Sequence, residues 1–144
     1  MIAGEPYGDF SEYAALIEAS PARERIRLFG NYIPDSEVKY YFSASDAVVL
    51  PYRSATQSGV NALACNFGVP MIVTDTGALR QTVEGRGTGL VVDKAEPEAV
   101  SEGILRFFAT PGLREGCIQK ILEEKDRLSW SEFCKGIIGF TESL

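Results

Sequence analysis

Residues 46–60 read DAVVLPYRSATQSGV and contain the most informative pattern of the sequence. The apolar run at 47–50 predicts a strand at about 46–51 that is covered on both faces, as the strands of parallel sheets are. A polar loop follows, and a helix is predicted from Ser58 to Phe67, where Gly68 and Pro70 end it. A buried strand followed by a helix is the repeating unit of a parallel α/β fold.

The same alternation of short apolar runs and helical patterns covers the rest of the chain. We therefore predict a Rossmann-like, doubly wound parallel sheet with helices on both faces. The short loops and the lack of repeats predict a single domain over residues 1–144. The helical spacing of Trp130, Phe133 and Ile137 predicts packing in the core. Strands are predicted at about residues 1–4, 26–30, 46–51, 70–74 and 89–92, and helices at about 10–19, 35–43, 58–67, 79–83, 98–108, 113–125 and 130–142.

Composition and charge exclude several classes of function. The 144 residues carry a formal net charge of -6, which argues against nucleic acid or an anionic membrane surface as the main partner. The chain has no histidine, so histidine-based triads are excluded, and no cluster of metal ligands is visible. Three cysteines without CxxC spacing predict reduced thiols. No apolar stretch approaches the about 18 residues of a membrane span, so we expect a cytoplasmic protein.

The loop after the strand at 46–51 offers a site for an anion. In an open α/β sheet, ligands bind beyond the carboxyl ends of the strands, where helix N-termini present unpaired N–H groups. Ser58 and Gly59 open the predicted helix, Gly59 allows close approach of the backbone, and Arg53 supplies positive charge. An N-capping serine and a surface arginine without a ligand fit the same residues. The residues alone leave both interpretations open.

The stretch at 46–60, followed by FGVPMIVTDTGAL at 67–79, resembles the C-terminal domain of the family 4 retaining glycosyltransferases, which have the GT-B fold. Weaker matches are FGNYIPD at 29–35, YFSASD at 41–46, GTGLVV at 87–92 and Trp130 before the last predicted helix. The matches occur in the family's order and cover almost the whole chain. The resemblance implies the donor-binding half of an enzyme that moves a sugar from a nucleotide diphosphate donor to an acceptor hydroxyl, with retention of configuration and without a metal or cofactor.

The resemblance also implies roles for particular residues. Backbone amides at the start of the helix would hold the donor diphosphate, and the loop around Tyr32 would lie near the nucleotide base. Packing and turn formation explain Tyr32 and Gly4 equally well. No residue resembles a catalytic nucleophile, so no catalytic residue is assigned. The expected diphosphate-binding residues are Arg53, Thr56, Gln57, Ser58, Gly59 and Val60, and the expected base region comprises Gly4, Tyr32, Ile33 and Pro34.

The sequence departs from the family pattern at two sites in the chain. Two glutamates that many members carry eight positions apart are Ala55 and Leu63 here, which puts recognition of the donor ribose in doubt. The usual Gly-Gly-x-Pro-Glu loop reads GALRQ at 77–81, which removes a proline and an acid.

Parts of the family's pattern are also missing from the sequence. The family's first strand and helix, with an arginine and a lysine for the diphosphate, do not occur ahead of Met1, and neither does the acceptor-binding domain. We therefore expect an N-terminally truncated fragment that catalyses no transfer alone and whose sheet lacks a central strand. Three outcomes are open for that gap: the flanking strands close up, another copy of the chain fills it by self-association, or an upstream segment exists.

Two other interpretations of function remain open. The first is a non-catalytic nucleotide- or phosphate-binding module with the same fold. The second is a receiver-like interaction domain, which needs a cluster of acids at the ends of its strands. Asp75 is the only acid expected at the carboxyl end of a strand, which disfavours the receiver. Peripheral association with a membrane through the full-length enzyme also stays open.

Overall fold

The first part of the chain forms a short parallel pair of strands. The structure, a computed structural model, describes residues 1–56, 58–127 and 129–142, and it divides into two compact units, residues 1–41 and 42–144. In the first unit, Ile2 lies opposite Leu28 in the parallel pair. Its elements are β1 (Ile2–Ala3), α1 (Ser11–Ala19), a 3-10 turn (Arg23–Arg25), β2 (Leu28–Phe29) and the beginning of α2 (Asp35–Ser43), which ends in the second unit.

The second unit is built on a three-stranded parallel sheet in the order β3–β4–β5. The strands are β3 (Val48–Leu50), β4 (Met71–Thr74) and β5 (Gly89–Val92). A helix links each strand to the next, which is the usual connection between parallel strands. The helices are α3 (Gly59–Phe67), α4 (Leu79–Val83), α5 (Pro97–Ala109), α6 (Leu113–Arg127) and α7 (Trp130–Glu142).

The central strand β4 is buried along its whole length. Successive side chains of a strand point to opposite faces of the sheet. Met71 and Val73 accordingly belong to one apolar cluster with Ala64 of α3, whereas Ile72 belongs to another with Phe107 of α5. The two clusters confirm that helices cover both faces of this sheet. Burial of each large side chain of this kind contributes roughly 1.5–3 kcal/mol to stability.

The predicted parallel α/β architecture is confirmed, with shorter strands than expected. The strand predicted at 26–30 comprises only Leu28–Phe29, and the one predicted at 46–51 begins at Val48. Each strand pair in the described part of the chain is parallel. β1 and β2 form one sheet and β3, β4 and β5 another, and the three outcomes considered for the missing strand stay open. The assignment of residues 1–144 to a single domain stays a prediction.

The last helix, α7, contradicts one expectation about the core. Trp130, Phe133 and Ile137 are 80%, 57% and 49% exposed. The prediction that they pack in the core is wrong because α3 to α6 already cover both faces of the sheet, and no described residue of α7 is buried. Within the described ranges, the helices are too short or too polar to cross a bilayer.

Candidate phosphate site

Two loops meet at the carboxyl edge of the three-stranded sheet. We call them the β3–α3 loop (residues 51–58) and the β4–α4 loop (residues 75–78). The hydroxyl of Thr74, at the end of β4, donates a hydrogen bond of 2.5 Å to the carbonyl oxygen of Tyr52. The hydroxyl of Thr76 donates to the same oxygen at 3.0 Å. The two hydroxyls hold the β3–α3 loop against the end of β4.

Gly77 brings the same two loops into direct backbone contact. Its φ of +55° lies in the left-handed region that favours glycine. A Cβ atom at this position would lie 2.0 Å from the carbonyl oxygen of Ala55 and 3.1 Å from that of Thr56. Backbone conformation and close approach therefore both require a glycine here. The β3–α3 loop rests on the β4–α4 loop at Ala55 as well as at Tyr52.

The start of α3 presents backbone N–H groups next to the β3–α3 loop. Ser58 caps the helix, because its Oγ accepts a hydrogen bond of 3.3 Å from the N–H of Asn61 and lies 3.3 Å from the hydroxyl of Tyr52. The N–H groups of Gly59 and Val60 bind no described backbone carbonyl, as is usual in the first turn of a helix. A Cβ atom on Gly59 would meet nothing within 4 Å. Unpaired donors, the positive end of the helix dipole and open space together suit an anion.

The structure places five of the six residues predicted to bind the diphosphate in the β3–α3 loop and the first turn of α3. Arg53 is exposed, and its guanidinium forms no ion pair or hydrogen bond with any residue that the structure describes. Thr56 is exposed, and Ser58 and Val60 are half-buried. Gln57 lies outside the described residues. The binding role of these residues stays a prediction.

The four residues expected near the nucleotide base all lie in the first unit. Gly4 follows β1 with a φ of +133°, and its N–H donates to the carbonyl oxygen of Phe29 at 3.0 Å, so the turn itself accounts for this glycine. Ile33 is half-buried, and Pro34 directly precedes α2. Tyr32 is 68% exposed, so packing does not account for its ring. Contact of these residues with a base stays a prediction.

The sequence interpretation missed one acid at the carboxyl edge. Asp93 directly follows β5, in the same relation that Asp75 has to β4. The sequence Val-Val-Asp at 91–93 indicates this position, because an acid that follows a buried strand lies at the carboxyl edge of the sheet. Arg80 binds both carboxylates, so they are not the free acidic cluster that a receiver domain needs. The described residues contain no group of three or more His, Cys, Asp or Glu placed to hold a metal ion.

A cavity of about 600 Å³ opens beside α3. It begins at Ser58 and Ala78, next to the candidate phosphate site, and extends to Trp130. In its wall, the side-chain amide of Asn61 donates to the hydroxyl of Thr82 at 3.2 Å. The cavity is in the size range of small-molecule sites. The start of α3 is thus open to solvent on this side.

Comparisons with known proteins agree with the fold. The family model described as "Glycosyl transferases group 1" matches residues 1–123. The chain is similar to O-antigen chain mannosyltransferase B of Escherichia coli, with 28% identity over 117 residues, which are 80% of this chain and 29% of that protein. It is similar to D-inositol 3-phosphate glycosyltransferase of Acidothermus cellulolyticus, with 24% identity over 142 residues, which are 96% of this chain and 32% of that protein.

Two sucrose-phosphate synthases are also similar to the chain. Sucrose-phosphate synthase 4 of Arabidopsis thaliana is 29% identical over 79 residues, which are 55% of this chain and 8% of that protein. The solved sucrose-phosphate synthase of Thermosynechococcus elongatus matches with a TM-score of 0.70 and 20% identity, over 98% of this chain and 36% of that chain. The chain therefore spans between 8% and 36% of the length of these four proteins, and the structural match shows the fold.

Proposed function

Because the chain belongs to the glycosyl transferases group 1 family, we propose that the β3–α3 loop and the start of α3 bind the diphosphate of a nucleotide-sugar donor. The proposed enzyme transfers the sugar from this donor to an acceptor hydroxyl with retention of configuration. The observation that carries the proposal is the start of α3, where the N–H groups of Gly59 and Val60 bind no described backbone carbonyl and a Cβ atom on Gly59 would meet nothing within 4 Å. Such a helix start at the carboxyl edge of a parallel sheet is a favourable position for a phosphate group.

The proposed role of the chain in the reaction is electrostatic. Negative charge builds up on the diphosphate as the bond to the sugar breaks. The N–H groups of Gly59 and Val60 and the guanidinium of Arg53 would stabilise that charge. Such stabilisation is effective when the donors are already in place, and the hydrogen bonds of Thr74 and Thr76 to Tyr52 hold the β3–α3 loop against the end of β4. We propose a front-face mechanism, in which the leaving phosphate takes the proton of the acceptor hydroxyl as the hydroxyl oxygen bonds to the sugar.

The family resemblance also suggests which residues would meet the nucleoside part of the donor. Leu63 is 40% exposed and has no polar atom on its side chain, so it cannot bind a ribose hydroxyl. The exposed phenol of Tyr32 offers both a ring for stacking and a hydroxyl, and we propose that this residue contacts the base together with Ile33 and Pro34. We propose no metal or cofactor for the reaction.

Transfer also requires a site for the acceptor. The chain spans 29% of the E. coli mannosyltransferase, and its described residues supply only the proposed donor site. We propose that a separate domain positions the acceptor hydroxyl, since orientation of two substrates is worth several kcal/mol. The 144-residue chain alone is expected to bind the donor without transferring the sugar. We propose the cytoplasm as the location of the enzyme.

Titration calorimetry of the 144-residue chain with UDP and GDP tests the donor site. Arg53→Ala should weaken binding of the preferred nucleotide by about 1.5–3 kcal/mol, the range for hydrogen bonds to charged groups. The matched control is Arg106→Ala on α5, because Arg106 is also exposed and has no ion pair with a described residue. An unchanged dissociation constant in Arg53→Ala removes Arg53 from the site. Failure of the unsubstituted chain to bind either nucleotide refutes the donor site itself.

A second candidate function is a nucleotide-binding module without transferase activity. Ala55 and Leu63, which stand where many members of the family carry glutamates, favour it. Such a module would bind UDP or GDP at the same site. It would show no sugar transfer even as part of the longest form of the protein that can be expressed, whereas the enzyme would.

A further inference from the structure

Arg80, in the first turn of α4, binds three carboxylates at once. Its guanidinium nitrogens lie 3.0 Å from an oxygen of Asp75, 2.6 Å from one of Glu84 and 2.5 Å from one of Asp93. Hydrogen bonds to Asp75, Asp93 and Glu84, in that order of effect, raise the pKa of Arg80 above its ordinary value. The guanidinium is therefore charged at every pH at which the protein would work.

The three carboxylates belong to different segments of the second unit. Asp75 begins the β4–α4 loop, Asp93 directly follows β5, and Glu84 directly follows α4. A guanidinium is planar and presents its N–H donors in fixed directions, so it can bind several carboxylates at defined angles. Arg80 thus connects the β4–α4 loop to the end of the neighbouring strand and to the end of α4.

The loop that Arg80 holds is the one that supports the candidate phosphate site. Thr76 and Gly77 of the β4–α4 loop contact Tyr52 and Ala55 of the β3–α3 loop. We propose that Arg80 is a positioning residue for the donor site. It fixes the β4–α4 loop, and through it the β3–α3 loop, and it neutralises carboxylates at the edge where the diphosphate would bind. The effect on donor binding rests on the proposed function, whereas the effect on the loops does not.

The charge of Arg80 matters because its three partners are all acids. Without the guanidinium, Asp75, Glu84 and Asp93 would repel one another and would also repel an incoming diphosphate. The side chain of Arg80 is 40% exposed, and ion pairs of that exposure contribute little to overall stability. Removal of Arg80 should therefore change the position of the loops and the local electrostatic potential more than it changes the midpoint of unfolding.

Hydrogen–deuterium exchange of the 144-residue chain tests the positioning without a ligand. Arg80→Met should raise the exchange rate of amides in residues 51–58 about tenfold, because local opening becomes easier there. The matched control is Arg114→Met. The side chain of Arg114 is 41% exposed and binds Asp46 at 2.7 Å, at the opposite, amino end of β3. Unchanged exchange at 51–58 in Arg80→Met, or an equal rise in Arg114→Met, would overturn the proposal.

Calorimetry with UDP and GDP tests the consequence for binding. Arg80→Met should lower the affinity for the preferred nucleotide at least about fivefold at low salt. The loss of affinity should be smaller at about 0.5 M salt, where screening of charges is strong. Combining Arg80→Met with Asp75→Asn, Glu84→Gln and Asp93→Asn removes the repulsion and should restore part of the affinity, while exchange at 51–58 stays high. A purely structural role would give no such recovery.

The two measurements separate the failure of this inference from the failure of the proposed function. If the unsubstituted chain binds neither nucleotide but Arg80→Met raises exchange at 51–58, the donor proposal is wrong and the positioning of the loop stands. If the unsubstituted chain binds a nucleotide and Arg80→Met binds it equally well, the positioning role in donor binding is wrong.

Discussion

Gly77→Ala tests the contact between the two loops at the candidate phosphate site. The new Cβ atom would lie 2.0 Å from the carbonyl oxygen of Ala55, whereas real Cβ atoms do not approach such atoms below 3.0 Å. The substitution therefore has to move two backbone segments apart by at least the difference. Neither segment can give way as a flexible side chain would, because the atoms that collide belong to the backbone of the β3–α3 loop.

The cost of Gly77→Ala has two parts. An alanine with φ near +55° costs about 1–2 kcal/mol relative to glycine. Moving the packed loops costs a further about 1–3 kcal/mol, as overpacking usually does. We expect the free energy of unfolding to fall by about 2–5 kcal/mol. The affinity for UDP or GDP should fall at least about tenfold, because the displaced β3–α3 loop carries Arg53 and leads into α3.

Gly68→Ala is the matched control. Gly68 has a φ of +74° at the C-cap of α3, and a Cβ atom there would meet nothing within 4 Å. This variant should lose only the conformational part, about 1–2 kcal/mol, and should bind nucleotide as the unsubstituted chain does. Urea unfolding followed by circular dichroism measures the first quantity, and calorimetry at a temperature where both variants are folded measures the second.

The comparison between the two glycines decides the prediction. If Gly77→Ala is no less stable than Gly68→Ala, the close contact with Ala55 does not support the β3–α3 loop. If Gly77→Ala is less stable but binds nucleotide normally, the contact supports the fold and has no part in positioning the site. Either result refutes the reasoning that links the β4–α4 loop to donor binding.

The remaining predictions concern α3 and α6. Gly59→Ala should raise the stability of α3 by up to about 1 kcal/mol, since alanine is the better helix former. It should also weaken the binding of UDP or GDP, because the added Cβ atom would keep the diphosphate away from the backbone. An unchanged dissociation constant would show that the diphosphate does not approach the backbone at Gly59. A hydrogen bond from Arg127 lowers the pKa of Glu124 below its ordinary value of 4.5, so the charged carboxylate stabilises the folded chain above that pH, and the contribution is lost as the pH falls through the lower folded value. The thermal unfolding midpoint of Glu124→Gln should therefore fall less between pH 7 and pH 3 than that of the unsubstituted chain. The control is Glu102→Gln, at an exposed glutamate of α5 without an ion pair to a described residue. Its midpoint should fall as much as that of the unsubstituted chain.

The order of the elements could be predicted from the sequence because it depends on local patterns. The run at 46–51 and the helix opening at Ser58 are signals within a few residues, and the structure has β3 and the cap of α3 at those positions. Strand ends were predicted less well, because a strand ends where its partner stops pairing. β2 comprises only Leu28–Phe29, since its only described partner is the equally short β1.

The contacts that shape the candidate site could not be predicted from the sequence, because they join residues far apart in the chain. Gly77 is 22 positions from Ala55, and Arg80 is 13 positions from Asp93. A glycine in a polar loop and an arginine on a short helix both have ordinary explanations until their neighbours are known. The exposure of Trp130 has the same origin, because helical spacing shows which side chains share a face and does not show what covers that face.

The negative charge of the chain and a site for a diphosphate are compatible because the two act over different distances. The formal net charge is -6, but charges more than about 8–10 Å apart in water are largely screened at physiological salt. A phosphate bound at the proposed site would experience the local arrangement: the N–H groups at the start of α3, Arg53, and the acids that follow β4 and β5. Arg80 neutralises part of the charge of those acids, because it pairs with both Asp75 and Asp93. We therefore expect substitutions of Arg53 and Arg80 to change nucleotide affinity more than an equal change in charge elsewhere on the chain does.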